Sequence, residues 1–236
     1  MNSIQTNIEQ TLSQIRTAEQ KCGRTPNSVQ LLAVSKTKPI DAVAQAIKAG
    51  QIAFGENYVQ EGVEKIQYFS DLNEGPSLQW HFIGPIQSNK TKLIAENFQW
   101  IHSVDRAKIA QRLSNQRSEQ LPPLQVLIQV NTSGEQSKAG TNESEVFQLA
   151  ELISSLPNLT LRGLMSIPEN VSNYQSQLHA FNQLSVLQQK LAVQYNDIDT
   201  LSMGMSGDME AAIQAGSTMV RIGTAIFGAR DYSNKS

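Results

Sequence analysis

The chain has 236 residues, 39% of them hydrophobic and 17% charged, with a formal net charge of -2. That length buries a substantial core, as one α/β barrel or as two small domains, and the near-neutral balance argues against a basic face that would dominate binding to nucleic acid or anionic lipid. The single cysteine, Cys22, cannot form an internal disulfide and fits a reducing compartment.

The first ten residues are polar and no run approaches the length that spans a bilayer, so the expectation is a cytoplasmic protein with neither nucleic-acid nor membrane partners. Ile4, Ile8, Leu12 and Ile15 recur at near-helical spacing and predict an amphipathic helix over 2–22, ending near Gly23. A first strand follows over Gln30 to Ser35, and Lys36 closes it. A lysine held at the end of a buried strand loses hydration, which disfavours the ammonium form and makes a nucleophilic amine accessible. The plainer reading of Lys36 alone is a head group that snorkels to solvent. A helix over Asp41 to Ala49 leads to a second strand, Ile52 to Gly55, which ends on Glu56-Asn57. Next come a helix over Tyr58 to Phe69, a strand over Gln79 to Gly84, a helix over Asn89 to Asn97, a strand over Trp100 to Ser103 and a helix over Arg106 to Glu119. Leu121-Pro122-Pro123 stops that helix before the fifth strand, Gln125 to Val130, which runs into Asn131. A helix over Glu143 to Ser154 precedes the sixth strand, Thr160 to Met165, with Ser166 behind it. The remaining elements are a helix over Gln175 to Gln194, a strand over Asp199 to Ser202, a helix over Asp208 to Ala215 and a strand over Thr218 to Ile222. Gly50 and Gly216 stand where helix C-termini favour glycine.

Eight βα alternations predict a parallel sheet closed into a single (β/α)8 TIM barrel spanning 1–236, with an open doubly wound sheet as the alternative. In such a barrel the chemistry lies at the C-terminal ends of the strands, and phosphate is commonly held in the loops after the seventh and eighth. Ser206-Gly207 is read as opening a helix after the seventh strand, presenting backbone N–H groups and a hydroxyl. Gly223-Thr224 after the eighth permits close backbone approach and adds a second hydroxyl. Ser206 fits a plain helix cap about equally well, and capping does not exclude phosphate. Arg221 is expected to point into the barrel mouth or to pair with a carboxylate. Because guanidinium only donates hydrogen bonds, a ring nitrogen facing it is an unprotonated acceptor.

Other constellations fail on spacing. His81, His102 and His179 are scattered without a metal-binding pattern. Gly204-Met205-Ser206-Gly207 lacks the last glycine of a nucleophile elbow, since Asp208 stands there. Gly134 to Gly140 has the glycine spacing of a P-loop without its lysine and reads as a polar βα loop. Met203, Met205, Met209 and Met219 gather near the proposed site and read as core filler.

The longer strings are more specific. AVSKTKP at 33–39, FGENYVQE at 54–61, WHFIGPIQSNK at 80–90, HSVD at 102–105, GLMSIP at 163–168, LSMGMSGDMEAAI at 201–213 and GSTMVRIGTAIFG at 216–228 closely resemble the pyridoxal phosphate homeostasis protein family, also called YggS/PROSC or PLPHP. The resemblance spans essentially the whole chain. It implies a modified (β/α)8 barrel, similar to the alanine racemase N-terminal barrel domain, that binds pyridoxal 5'-phosphate (PLP) as an internal aldimine. Carried over motif by motif, it implies Lys36 for the aldimine, Ser206, Gly207, Gly223 and Thr224 for the phosphate, and Arg221 for the ring nitrogen. Asn57, Met165 and Ser166 match family positions that line the cofactor. No metal and no catalytic residue follow from it. It further implies a monomeric PLP carrier or regulator in vitamin B6 and amino-acid homeostasis, whose partners are PLP, amino acids and PLP-dependent apoenzymes.

Two alternatives stand beside the carrier. An amino-acid racemase of the alanine-racemase type needs a second, mostly β domain with an opposite-face tyrosine, and the expectation is that a chain ending at Ser236 has no residues to build one. A barrel enzyme acting on a sugar phosphate through a Lys36 Schiff base fits the bare motifs and leaves the long strings unexplained.

Overall fold

The computed structural model describes residues 3–72, 78–132, 139–168 and 173–229. Its short apolar runs pair as eight parallel strands: β1 (Gln30–Val34), β2 (Ala53–Glu56), β3 (Gln79–Phe82), β4 (Trp100–Val104), β5 (Leu124–Gln129), β6 (Leu159–Met165), β7 (Thr200–Ser202) and β8 (Met219–Ile222). They follow one another in chain order around a closed barrel, and β8 returns to β1 with Leu31 opposite Val220 and Leu32 opposite Arg221. The expected (β/α)8 barrel is therefore the observed one. Strands covered on both faces need apolar residues on both, which is why they appear in the sequence as runs rather than alternations. β2, β7 and β8 are buried along their whole length.

The helices are α1 (Ile4–Lys21), α2 (Ile40–Lys48), α3 (Val59–Asp71), α4 (Thr91–Asn97), α5 (Ala107–Gln116), α6 (Glu143–Ser155), α7 (Tyr174–Ala192), α8 (Met209–Gln214) and α9 (Thr224–Phe227). The main core lies between them and the strands. A separate small cluster of Leu32, Ala53 and Met219, with Ile83 against it, belongs to β1, β2, β8 and the end of β3. α1 precedes the barrel and is tied to it by Glu19, whose buried carboxylate accepts the backbone N–H groups of Asn27 (3.1 Å) and Val29 (2.7 Å) at the entry to β1. Gly50 and Gly216 take φ of 90° and 105° just beyond α2 and α8, as their positions predict. Among the described residues no helix is long and apolar enough to cross a membrane.

Three boundaries and one added element differ from expectation for identifiable reasons. β1 stops at Val34, so Ser35 and Lys36 already belong to the turn that follows. α5 ends at Gln116 because Arg117 leaves the helix with ψ 124°, and its guanidinium reaches the carbonyls of Ala95, Phe98 and Pro122. α8 starts at Met209 with Asp208 at its N-cap, so Ser206-Gly207 forms the preceding turn and does not open or cap the helix. α9 is an added four-residue helix directly behind Gly223. Asn2 of the expected first helix, most of the Gly134 to Gly140 loop and the ends of the span 1–236 lie outside the described residues.

Candidate functional site

The strand ends of β1, β2, β7 and β8 open on one cavity of about 310 Å³, inside the usual range for small-molecule sites. Lys36 enters it from the turn after β1, Asn57 from the end of β2, Ser206 and Gly207 from the turn after β7, Arg221 from β8, and Gly223 and Thr224 from the start of α9. Seven of the nine residues singled out in the sequence thus converge, leaving Met165 and Ser166 outside the cavity lining. Met165 is fully buried in β6, and Ser166 is buried with its carbonyl accepting Arg221 Nη2 at 2.8 Å.

Close backbone packing sets Asn57. A Cβ on Gly84 would lie 2.3 Å from the Asn57 carbonyl oxygen, so only glycine lets the loop after β3 approach this strand end. Ser103 Oγ donates to the Gly84 carbonyl at 2.5 Å and fixes that loop from β4. Asn57 Oδ1 is left buried with no hydrogen-bond partner among the described residues, an acceptor in the cavity wall. On the opposite side, Asp208 Oδ1 accepts the Met205 N–H at 2.6 Å while the Asp208 N–H donates to the Met205 carbonyl at 3.2 Å. This reciprocal pair holds Ser206 and Gly207 out as an exposed turn.

Arg221 is fixed from below. Its Nη1 donates to the Ser202 carbonyl and to Ser202 Oγ, both at 2.8 Å. Ser202 Oγ lies 3.0 Å from His102 Nδ1, and His102 Nε2 lies 2.9 Å from His81 Nδ1, all fully buried. The assignment that leaves fewest groups unpaired gives the Ser202 hydrogen to His102 Nδ1 and the His102 hydrogen to His81 Nδ1. His81 Nε2 has no partner among the described residues, and its ring stacks on Trp100 at 5.3 Å. Burial pushes His81 down to about 3, and burial followed by the neighbouring His81 and Arg221 holds His102 well below its ordinary value. Both rings are therefore neutral. Burial also lowers Arg221 to about 10 against the pull of Asp208, so it stays charged near neutral pH.

The cavity also takes in residues that the sequence reading did not place there. Lys38 donates through Nζ to the carbonyls of Gly228 (3.0 Å) and Ala229 (2.8 Å). Val34, Ile83 and Ile167 supply apolar wall, and Met205 lies at the mouth with 39% of its surface exposed. Methionine as core filler holds for Met203, Met209 and Met219, which are buried, and fails for Met205. The available signals were the second lysine of the Lys-Thr-Lys string and adjacency to Ser166 and Ser206. Among the described residues no His, Cys, Asp and Glu group is arranged to hold a metal ion.

The alanine racemase N-terminal domain family matches residues 7–231. A pyridoxal phosphate homeostasis protein of Vibrio alginolyticus is 71% identical over 233 residues, covering 99% of this chain and all of that one. The chain belongs to the pyridoxal phosphate homeostasis protein family. Its Escherichia coli relative of the same name is 57% identical over the full length of both. Among solved structures, PipY of Synechococcus elongatus with PLP bound is 35% identical with a TM-score of 0.82, covering 96% of this chain and 100% of that one. The alanine racemase of Corynebacterium glutamicum, at 18% identity and a TM-score of 0.66, covers 99% of this chain and 62% of its own and shares the barrel fold.

Proposed function

We propose that this protein binds PLP in the cavity at the barrel mouth, with Lys36 as the point of covalent attachment, and serves PLP and amino-acid homeostasis in the cytoplasm as a carrier. The observation that carries the reading is the convergence of an amine, a guanidinium and two glycine-hydroxyl turns on one cavity. A family relative solved with PLP bound supports the same ligand. When bound, PLP supplies an electrophilic aldehyde for an amine to capture and a phosphate dianion for anchoring.

The residues fit those two groups. Ser206 and Thr224 bring hydroxyls, and the turns at Gly207 and Gly223 bring backbone donors, at the two strand ends where barrels commonly hold phosphate. A Cβ built on Gly207 meets nothing within 4 Å, so space is kept open beside that backbone. Asn57 Oδ1 offers a buried acceptor to a ligand donor. Of the two lysines in the wall, Lys36 lies nearer the end of β1, where a barrel presents its chemistry, which favours it for attachment, while Lys38 donates to the carbonyls of Gly228 and Ala229. Arg221 presents donors only and so favours the unprotonated form of a ring nitrogen, the form that withdraws electrons least. The likeness to racemases at 18% identity concerns fold alone.

The test is a visible spectrum of the PLP-loaded protein, borohydride reduction and peptide mapping. The expected label is on Lys36, and Lys36→Ala abolishes it. A label on Lys38 would move the attachment point and refute this assignment. In parallel, α-deuterium exchange and chiral analysis of common amino acids should show turnover far below the roughly 1 per second of an ordinary enzyme. Stereoinversion at that rate, lost in Lys36→Ala, would establish a racemase instead.

A further inference from the structure

The two peptide units flanking Lys36 end on a single buried charge cluster that takes no part in lining the cavity. Ser35, fully buried, donates its hydroxyl to Glu56 Oε1 at 2.6 Å. Lys65, on α3 and 3% exposed, donates through Nζ to Glu56 Oε1 (2.8 Å), Glu61 Oε1 (2.7 Å) and the Ser35 carbonyl (2.8 Å). Glu61 Oε1 also accepts the Thr37 N–H at 2.6 Å. The Ser35 carbonyl belongs to the peptide that enters Lys36, and the Thr37 N–H to the peptide that leaves it. Both are clamped, one by an ammonium and one by a carboxylate, and the ammonium and carboxylate are bonded to each other.

The turn needs such a clamp. Thr37 has φ 64°, a left-handed conformation that a β-branched residue adopts only when its surroundings impose it. The charge-assisted hydrogen bond that its N–H donates to the Glu61 carboxylate imposes it here. Burying Glu56 and Lys65 is costly, because both ions leave water and Glu56 Oε2 has no partner among the described residues. Burial pushes the Glu56 carboxyl up, and the adjacent Lys65 draws it back only in part. Apolar side chains would join α3 to β2 at lower cost, so packing alone does not account for the cluster. What it accomplishes beyond packing is to define the backbone on both sides of one lysine.

We propose that Glu56, Lys65 and Glu61 are positioning residues for Lys36, fixing its turn so that its amine, once deprotonated, is directed into the cavity to condense with an aldehyde there, the C–N bond forming as the carbonyl oxygen leaves as water. The proposal rests on the reading of Lys36 as the attachment residue.

The discriminating experiment pairs PLP with pyridoxine 5'-phosphate, which keeps the ring and phosphate and has an alcohol where PLP has the aldehyde. Glu61 is the variant of choice, since its side chain is 28% exposed and its loss leaves the Lys65 pair with Glu56 in place. Glu61→Ala is expected to slow borohydride-trapped labelling of Lys36 by about tenfold or more, as misplacement of a reacting group does, with pyridoxine 5'-phosphate affinity unchanged. Glu61→Gln, whose amide oxygen still accepts the Thr37 N–H, should label close to the wild-type rate. Adding Thr37→Gly to Glu61→Ala should restore part of the labelling, because glycine holds a positive φ unaided. A merely structural role would lower thermal stability or weaken both ligands alike. Normal labelling in Glu61→Ala, equal loss of both ligands, or no recovery with Thr37→Gly would each overturn the positioning role. A wild-type label placed elsewhere than Lys36 would overturn the underlying reading and this one together, and the wild-type control reports it before any variant is made.

Discussion

At the scale of single residues, Ser206 and Asp208 sit two positions apart and do different work. Ser206 is exposed in the turn beside the cavity and caps no helix, so its hydroxyl is available to a ligand. Asp208 holds that turn through the Met205 N–H at 2.6 Å and stands at the N-cap of α8. Ser206→Ala should therefore weaken PLP binding by about fivefold, close to 1 kcal/mol for one net hydrogen bond, with no change in melting temperature. Asp208→Ala should cost about 1 kcal/mol of folding stability by leaving a backbone donor without its acceptor. Equilibrium binding and denaturant unfolding on the two variants separate the roles. A loss of stability in Ser206→Ala equal to that in Asp208→Ala would show that both are structural.

At the scale of elements, the β5–β6–β7 seam depends on one backbone conformation. Gly163 in β6 has φ 144°, and a Cβ there would lie 2.0 Å from the Thr200 carbonyl oxygen of β7. The register between β5 and β6 shifts just here, between Val126 opposite Leu161 and Leu127 opposite Gly163. Gly163→Ala should cost about 3 kcal/mol or more, since the clash is with backbone that cannot rotate away. Urea unfolding measures it, and a cost below about 1 kcal/mol would mean the seam relaxes freely. This bulge was not legible in the sequence, where nothing in the Leu159–Met165 string marks Gly163 as needing a positive φ. The strands themselves were legible, because a barrel strand buried on both faces leaves a contiguous apolar run that punctuation by glycine and helical spacing can isolate. α9 was not, since four residues carry no periodicity. Lys36, Arg221 and the two turns could be placed in the sequence because barrel strand ends share one face of the molecule. The chain from His81 through His102 and Ser202 to Arg221 runs through the barrel interior, its longest single bond joining residues 100 positions apart, and local pattern carries no trace of that.

At the scale of the whole molecule, that interior chain makes stability depend on pH. His81 and His102 are fully buried and neutral, with folded values far below the unfolded value of about 6.5. Above pH 6.5 neither state binds these protons and stability is at its full value. As pH falls below 6.5 the unfolded chain takes up two protons that the folded chain refuses, so stability falls by about 1.4 kcal/mol per pH unit for each ring. The loss continues until the folded values are reached, at about 3 for His81. Glu56 and Asp208 work the other way, because burial raises both carboxyls and each favours the folded state as it protonates, while Glu19, held below its ordinary value, adds to the loss in the carboxylate range. Between pH 6.5 and 5 the two histidines together should remove roughly 4 kcal/mol, a large share of the 5–15 kcal/mol that holds a typical domain folded. His81→Phe keeps a ring against Trp100 and removes one of the two titrating groups. It should lower stability at pH 7 by about 1–2 kcal/mol, because His102 Nε2 loses its acceptor, while roughly halving the slope below pH 6.5. Unfolding free energies from urea titrations at half-unit pH intervals test both parts. A wild-type protein equally stable at pH 7 and pH 5, or a variant with the wild-type slope, would show that the buried imidazoles take up protons in the folded state and that Arg221 is not held by a neutral chain.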